Sequence, residues 1–315
     1  MQQKTLYQNN QIWQKVQEFL PPEIRLFDKE IPVQEWVKTD HTSIHVDHYV
    51  PQKTKAVVVV LHGVGGNGRL LSFIAMPLWR KGYEVICPDL PMYGHTVVKG
   101  KISYEDWIKS SVLISEKYMR EGIPFFLFGL SAGGMLAYQT ACRLKDVTGI
   151  MVTCLLDQRI SKVTLETASN KIMAKLGKPL LKMTKKIFGE IRLPMKAVCN
   201  MKAIVNNEKL AKILLEDPLS SGAKVTLKFL HGLLNPNIEI EAKDFYKCPI
   251  LLVHPEKDYW TDISLSRMFF DEMPCEKRIQ LLEGAGHFPI EERGLKQLEE
   301  FCILFMEEFG KESFL

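Results

Sequence analysis

The sequence predicts an α/β protein built on a mostly parallel central sheet with helices on both faces. Two patterns point to it. First, from Lys55 onward, short apolar runs alternate with helical stretches of about 10–15 residues, the order of a parallel sheet with crossover helices. Second, the runs are apolar at successive positions rather than at every other one. Val57-Val58-Val59-Val60-Leu61 is what a strand buried on both faces requires. The alternation breaks near residue 155 and resumes near 245. One core unit, residues 1–154 and 246–315, is therefore expected to carry a helical insertion, residues 155–245.

The elements follow in order. A lead-in helix is expected around Gln11–Phe19, stopped by Pro21-Pro22. Ile31–Val37 and Ser43–Val50 read as strands, and Thr39-Asp40-His41-Thr42 between them suggests a hairpin. Lys55–Leu61 is a strand, followed by Gly63, Gly65, Gly66 and Gly68 and a helix at Leu70–Arg80. Tyr83–Cys87, Pro124–Phe128 and Val147–Cys154 are further strands, with helices at Tyr104–Met119 and Ala132–Leu144. The insertion reads as helices rich in Leu, Met and Lys, punctuated by Gly177-Lys178-Pro179, Leu193-Pro194 and Asp217-Pro218. Beyond it come strand Pro249–His254, helix Ile263–Phe270, strand Arg278–Leu282 and a closing amphipathic helix, Gly294–Phe309. No internal repeat is evident.

Composition narrows the class. The 315 residues are 46% apolar and 25% charged, which is ordinary globular usage and excludes disordered and fibrous chains. The longest apolar run, Ala56–Leu61, is far short of the ~20 residues of a membrane span. The N-terminus runs into polar Gln8-Asn9-Asn10-Gln11 without an apolar signal core, so a soluble cytoplasmic protein is expected. The seven cysteines are dispersed, with no Cys-x-x-Cys pair, which argues against disulfides and thiolate metal sites. The net charge of +4 is uneven: residues 155–245 hold 16 Lys/Arg against 9 Asp/Glu. That segment lacks interleaved aromatics and any nucleic-acid motif, so no nucleic-acid partner is expected.

The strongest chemical signal is Gly129-Leu130-Ser131-Ala132-Gly133, followed by Gly134. It lies directly between an expected strand and an expected helix. A nucleophile on so sharp a turn needs small neighbours two residues away on either side, and the turn lifts the Ser131 oxygen above the sheet. Serine needs a base, and the base an orienting acid. Both should follow Ser131 in the chain, just beyond later strands. Asp258 follows the strand Ile250–His254, with Glu256 and Asp262 close enough to compete for the role. His287 follows Ile279–Leu282, although a histidine there could also simply be packed in its loop. The oxyanion of an acyl-transfer intermediate needs N–H donors. Ala132 supplies one, and the loop His62-Gly63-Val64-Gly65-Gly66 the other, with Val64 first in line and Gly63 or Gly65 in reserve. The same loop is not closed by the Gly-Lys-Ser/Thr of a phosphate cradle. His62 and His95 read as residues that fix loops. His41, His45, His48, His231 and His254 show no metal-ligand spacing, and no metal or cofactor is expected.

At this point the chain resembles the α/β-hydrolase superfamily and, within it, the monoacylglycerol lipase, lysophospholipase and serine aminopeptidase-like group. His62-Gly63-Val64-Gly65-Gly66, Asp89 with Gly94-His95-Thr96, Gly129–Gly133, Leu252-Val253-His254 with Asp258, and Gly286-His287 carry the resemblance over roughly residues 30–310. It implies the α/β-hydrolase fold, a Ser–Asp–His triad, an oxyanion hole, and a helical cap inserted before the acid-bearing strand. Asp217-Pro218-Leu219 resembles a recurring cap element. Pro255 stands where the group usually has Gly, and Pro91-Met92-Tyr93 replaces a shorter turn.

The expected activity is that of a cofactor-independent serine hydrolase acting on a small-molecule acyl ester with an apolar acyl chain. Thioesterase, lactonase and aminopeptidase activity on the same residues, or a non-catalytic ligand-binding member of the fold, are the alternatives. In the insertion, Ile172, Met173, Leu176, Leu180, Leu181, Met183, Ile187 and Phe188 interleave with Lys171, Lys175, Lys178, Lys182, Lys185 and Lys186. That pattern suits either a cap helix packed on the core or a lid whose basic face makes transient contact with anionic lipid surfaces.

Overall fold

The computed structural model describes residues 6–26, 32–170 and 188–312. Helix α1 (Gln11–Gln17) starts at Asn10, whose side chain accepts from the Ile12 and Trp13 N–H groups. Strands β1 (Val33–Lys38) and β2 (Thr42–Tyr49) form the expected hairpin, with Lys38 opposite Ser43. Its turn is held by Thr39 Oγ1, which accepts from the His41 and Thr42 N–H groups.

The alternating region follows as β3 (Val57–Leu61), α2 (Ser72–Arg80), β4 (Glu84–Pro88), β5 (Val97–Val98), α3 (Tyr104–Tyr118), β6 (Phe125–Gly129), α4 (Ala132–Arg143) and β7 (Gly149–Val152). Within residues 155–245, the expected insertion, lie α5 (Ser161–Thr167), β8 (Arg192–Pro194), α6 (Glu208–Glu216), β9 (Lys224–Thr226) and α7 (Leu227–Leu234). The chain then returns to the sheet with β10 (Ile250–Pro255), α8 (Ile263–Phe270), β11 (Lys277–Leu282) and α9 (Glu292–Glu312). β3, β4, β6, β7 and β10 are buried along their whole length, which is why their sequences are apolar without alternation, apart from Glu84 and His254, whose polar groups find partners in Arg120 and the Thr153 carbonyl.

The sheet order is β1-β2-β4-β3-β6-β7-β10-β11, with the short β5 on β2. The β1–β2 and β2–β4 pairs are antiparallel, and every pair from β4 to β11 is parallel. After β3 the chain moves outward to β4, then crosses back to β6 on the other side of β3. The strand order therefore reverses between β3 and β6. In open α/β sheets the crevice at the carboxyl ends of such strands is where ligands bind. The loops that leave β3 and β6 there are the two glycine-rich segments singled out above.

Among the described residues, the segment 155–245 contains two short strands as well as helices. β8 and β9 pair antiparallel in a small separate sheet, with Leu193 opposite Val225. Each strand is three residues long, too short to show the period of two that marks a strand in sequence. Residues 171–187, which carry the basic and apolar pattern of the expected lid helix up to Ile187, lie outside the described residues. Phe188 is described, and it is half exposed. No helix among the described residues is long and apolar enough to cross a membrane.

One buried ion pair ties this architecture together. The Arg69 guanidinium donates from Nε to Asp47 Oδ2 at 2.5 Å and from Nη2 to Asp47 Oδ1 at 3.0 Å, and neither side chain reaches solvent. It joins the loop after β3 to the middle of β2. Replacing Arg69 with Met fills much of the space but takes from the buried Asp47 carboxylate both hydrogen bonds that Arg69 donates. Arg69→Met should lose about 3–5 kcal/mol of stability, read as a lower urea midpoint. A loss below about 0.5 kcal/mol would show that Asp47 finds other partners.

Candidate active site

β6 ends at Gly129 and α4 begins at Ala132, so the chain reverses over two residues. Ser131 takes the strain, at φ 57° and ψ −127°, a region sparsely populated by residues with a side chain. The surrounding backbone enforces it. A Cβ on Gly129 would lie 2.1 Å from the Gly133 carbonyl oxygen, and one on Gly133 would lie 2.2 Å from that of Leu61. The Ser131 N–H donates to Thr153 Oγ1 at 3.0 Å, beyond the end of β7.

The loops after β10 and β11 bring Asp258 and His287 to this turn. Ser131 Oγ lies 2.8 Å from His287 Nε2, and His287 Nδ1 lies 2.7 Å from Asp258 Oδ2. With the proton on Nδ1, the imidazole donates to the carboxylate and accepts from the serine. Ser131 and His287 are 5% and 2% exposed, so the row is shielded from solvent. The two other carboxylates considered for the acid position are engaged elsewhere. Glu256 accepts from the Gly284 N–H, and Asp262 caps α8 by accepting from the Ser264 N–H.

Asp258 is enclosed by donors. Oδ1 accepts from the Trp260 and Thr261 N–H groups, and Oδ2 accepts from Thr261 Oγ1 at 2.7 Å as well as from His287. Burial alone would raise this carboxyl, but the facing imidazole and the Thr261 hydrogen bonds hold it well below the usual carboxylate range. The Trp260 ring lies 4.7 Å from the His287 ring, and its indole N–H donates to the Thr167 carbonyl of the insertion. Thr153, Trp260 and Thr261 were missed in the sequence reading. The signal for the last two was local: an aspartate followed by residues whose backbone N–H groups can turn back onto it.

The glycine-rich loop after β3 runs beside the serine. A Cβ on Gly63 would lie 2.9 Å from both the Ala132 nitrogen and Ser131 Cβ. Val64 is buried and Ala132 half-buried. His62 and Asp89 anchor this loop. His62 Nδ1 donates to the Gly63 carbonyl at 2.7 Å, while Nε2 accepts from the Leu90 N–H at 2.9 Å. Burial pushes this imidazole down to about 4, so it stays neutral. Asp89 Oδ1 accepts from the Gly68 N–H, and Oδ2 from the His95 N–H.

Residues 204–221 bond to the same loop and to the loops that carry Asp258 and His287. Ser221 Oγ donates to the Gly65 carbonyl, and Asn67 Nδ2 and the Gly94 N–H both donate to the Leu219 carbonyl. Asp217 shapes this turn by accepting from the Leu219 N–H and the Ser220 hydroxyl. On the far side, the Phe288 N–H donates to the Ile204 carbonyl, and Asn206 Nδ2 donates to the Lys257 carbonyl. Among the described residues, no group of three or more His, Cys, Asp and Glu side chains is arranged to hold a metal ion.

Two outcomes follow. Thr261→Val removes one donor from Asp258, so the carboxyl should titrate higher, read by carboxyl carbon chemical shifts; an unchanged titration would show that the hydroxyl contributes nothing. His62 binds a proton at about 6.5 when unfolded and only at about 4 when folded. Its stabilising share is thus complete above pH 6.5 and lost as pH falls toward 4, by up to about 3 kcal/mol. Denaturation midpoints should drop over that window, and less steeply in His62→Asn. Equal slopes for the two proteins would contradict the assignment.

A family model described as serine aminopeptidase, S33, matches residues 52–294, which is most of the chain. An uncharacterized abhydrolase domain-containing protein of Dictyostelium discoideum is 24% identical over 287 residues, covering 88% of this chain and 29% of that much longer protein. Among solved structures, a soluble variant of the Saccharomyces cerevisiae monoglyceride lipase, in complex with a substrate analog, superimposes with a TM-score of 0.75 at 19% identity, covering 92% of this chain and 99% of that one. The Paleococcus ferrophilus monoacylglycerol lipase gives 0.66 at 24% identity, covering 84% and 98%. A carboxyl esterase of Bacillus coagulans gives 0.63 at 16% identity, covering 88% and 98%. The strand order, the strained turn after β6 and the family match agree: the chain belongs to the serine aminopeptidase, S33, family and has the α/β-hydrolase fold.

Proposed function

We propose that this α/β hydrolase is a serine hydrolase that cleaves carboxylic esters with an apolar acyl chain. The observation that carries the reading is the continuous row Ser131–His287–Asp258, with contacts of 2.8 and 2.7 Å. His287 takes the Ser131 proton on Nε2 as the oxygen attacks the ester carbonyl. Asp258 holds the Nδ1–H tautomer and stabilises the imidazolium that forms. The negative charge on the carbonyl oxygen is met by the N–H groups of Val64 and Ala132, aided by the N-terminus of α4. His287 then protonates the departing alcohol, and an acyl ester on Ser131 remains. Water, deprotonated by the same imidazole, releases the acid and restores the serine.

The apolar preference is supported by the insertion. Met201 and Ile204 are buried there, the Met201 methyl close against Gly65 and the Ile204 carbonyl bonded beside His287. The lipase and esterase names of the structures above point the same way. A peptidase that frees N-terminal residues needs a carboxylate to hold the substrate amine. Glu256, Asp262 and Asp217 already accept hydrogen bonds within the chain. The basic insertion, with Lys196, Lys202, Lys209, Lys212 and Lys224 exposed, suits transient contact with anionic lipid surfaces.

Ser131→Ala should keep the fold and lower ester hydrolysis by on the order of 10⁴–10⁶-fold. Hydrolysis of p-nitrophenyl esters of graded chain length reads this directly. Near-normal turnover in Ser131→Ala would refute the nucleophile, and a preference for acetate over every longer chain would refute the apolar acyl site. Co-sedimentation with vesicles should rise when anionic lipid is added; an unchanged bound fraction would remove the surface contact.

A further inference from the structure

Among the buried polar contacts that the mechanism does not use is one made by the N-terminal segment. Tyr7 lies in the N-terminal segment, outside the residues 52–294 that match the family model. Its side chain is 2% exposed, and its hydroxyl donates to Asp89 Oδ2 at 2.8 Å. The same carboxylate accepts from the Gly68 N–H at 2.7 Å and the His95 N–H at 2.8 Å, and its fourth partner is His45 Nδ1 at 2.9 Å. Gly68 closes the loop that begins at Gly63 beside Ser131. His95 belongs to the loop whose Leu90 N–H bonds His62. The Tyr7 hydroxyl is thus one carboxylate away from the loop that carries Val64 and from the loop that bonds His62 at its start.

The rest of the N-terminal segment is arranged to keep that hydroxyl in place. The Tyr7 ring lies 4.4 Å from the His95 ring, and the Arg69 guanidinium stacks 4.8 Å from it, with Trp13 on the same cation at 5.8 Å. Gln8 Oε1 accepts from Arg69 Nη1. Trp13, Val16, Leu20, Ile24 and Leu26 are buried, and α1 packs against α6 of the insertion. The segment therefore touches both the carboxylate that anchors the loop and the unit that covers the site.

We propose that Tyr7 is a positioning residue for the hydrolysis, holding the Gly63–Gly68 loop in register with Ser131 through Asp89. The inference rests on the functional reading above. A buried carboxylate binds tightly to whatever donors surround it, and loses order when one is withdrawn, because the remaining lone pair has no water to turn to. Without the Tyr7 hydroxyl, Asp89 is free to shift toward its other partners, and the Gly68 and His95 amides move with it. The Val64 N–H then meets the oxyanion less well, while ground-state binding of the acyl chain is unaffected.

Tyr7→Phe keeps the ring and its stacking and removes only the donor. Hydrogen exchange followed by mass spectrometry should show the peptides that contain Gly68 and His95 exchanging about tenfold faster, with β11 unchanged, a factor typical of one buried hydrogen bond to a charged group. On a p-nitrophenyl ester, kcat should fall about tenfold while KM stays within about twofold, the pattern of an interaction made only in the transition state. Gln8→Ala, which loosens the segment without touching Asp89, should leave both readouts near wild type. Unchanged exchange in Tyr7→Phe, a loss seen only in KM, or an equal loss of kcat in Gln8→Ala would overturn the proposal. The exchange measurement does not depend on turnover. A wild-type chain that hydrolysed no ester would defeat the functional reading and leave the coupling of Tyr7 to the loop to be decided by exchange.

Discussion

Ser131 stands at a left-handed φ because the backbone on either side of it is packed against carbonyl groups. Gly129 meets the Gly133 carbonyl and Gly133 meets the Leu61 carbonyl at distances no side chain could enter. Strand β6, helix α4 and the end of β3 approach as closely as main chains can, and the residue caught between them is lifted out of the sheet. The rest of the site depends on this contact. It brings Ala132 beside Gly63, sets the Ser131 oxygen within 2.8 Å of an imidazole that arrives from a strand three positions along the sheet, and starts α4 directly behind Ser131.

Two buried carboxylates then do related work on opposite sides of the serine. Asp258 is surrounded by the Trp260 and Thr261 N–H groups, the Thr261 hydroxyl and His287, and it orients a ring. Asp89 is surrounded by Gly68, His95, Tyr7 and His45, and it orients a loop. In both cases burial works against the charge, and the donors outweigh it. Each carboxylate is therefore held in one position, because any displacement would leave charge unpaired in the interior. The insertion adds a third support from above through Ser221, Leu219 and Ile204.

The parts of this arrangement that were legible in the sequence are those written over consecutive residues. Val57–Leu61 and Phe125–Phe128 read as buried strands because burial on both faces leaves no polar position. Gly129-Leu130-Ser131-Ala132-Gly133 reads as a turn because the close contacts around it tolerate only small residues. Asp258 and His287 could be placed beyond the ends of two strands by chain order, whereas the choice among Asp258, Glu256 and Asp262 waited on where each side chain finds its donors. The contribution of Tyr7 was not legible, since 82 residues separate it from Asp89 and nothing local distinguishes its hydroxyl from that of any other tyrosine. The β8–β9 pair was missed for a similar reason: Arg192–Pro194 and Lys224–Thr226 are too short for periodicity, and their pairing is set by the fold around them.

On the proposed function, packing around one strained turn, together with a buried imidazole and carboxylate, makes the Ser131 hydroxyl nucleophilic. The most direct measurement is to treat the protein with a fluorophosphonate and locate the adduct by peptide mass spectrometry. The account requires one adduct, on Ser131, formed rapidly in the wild type and lost when His287 is replaced by alanine. Labelling that falls on another residue, or that persists on Ser131 without His287, would contradict it.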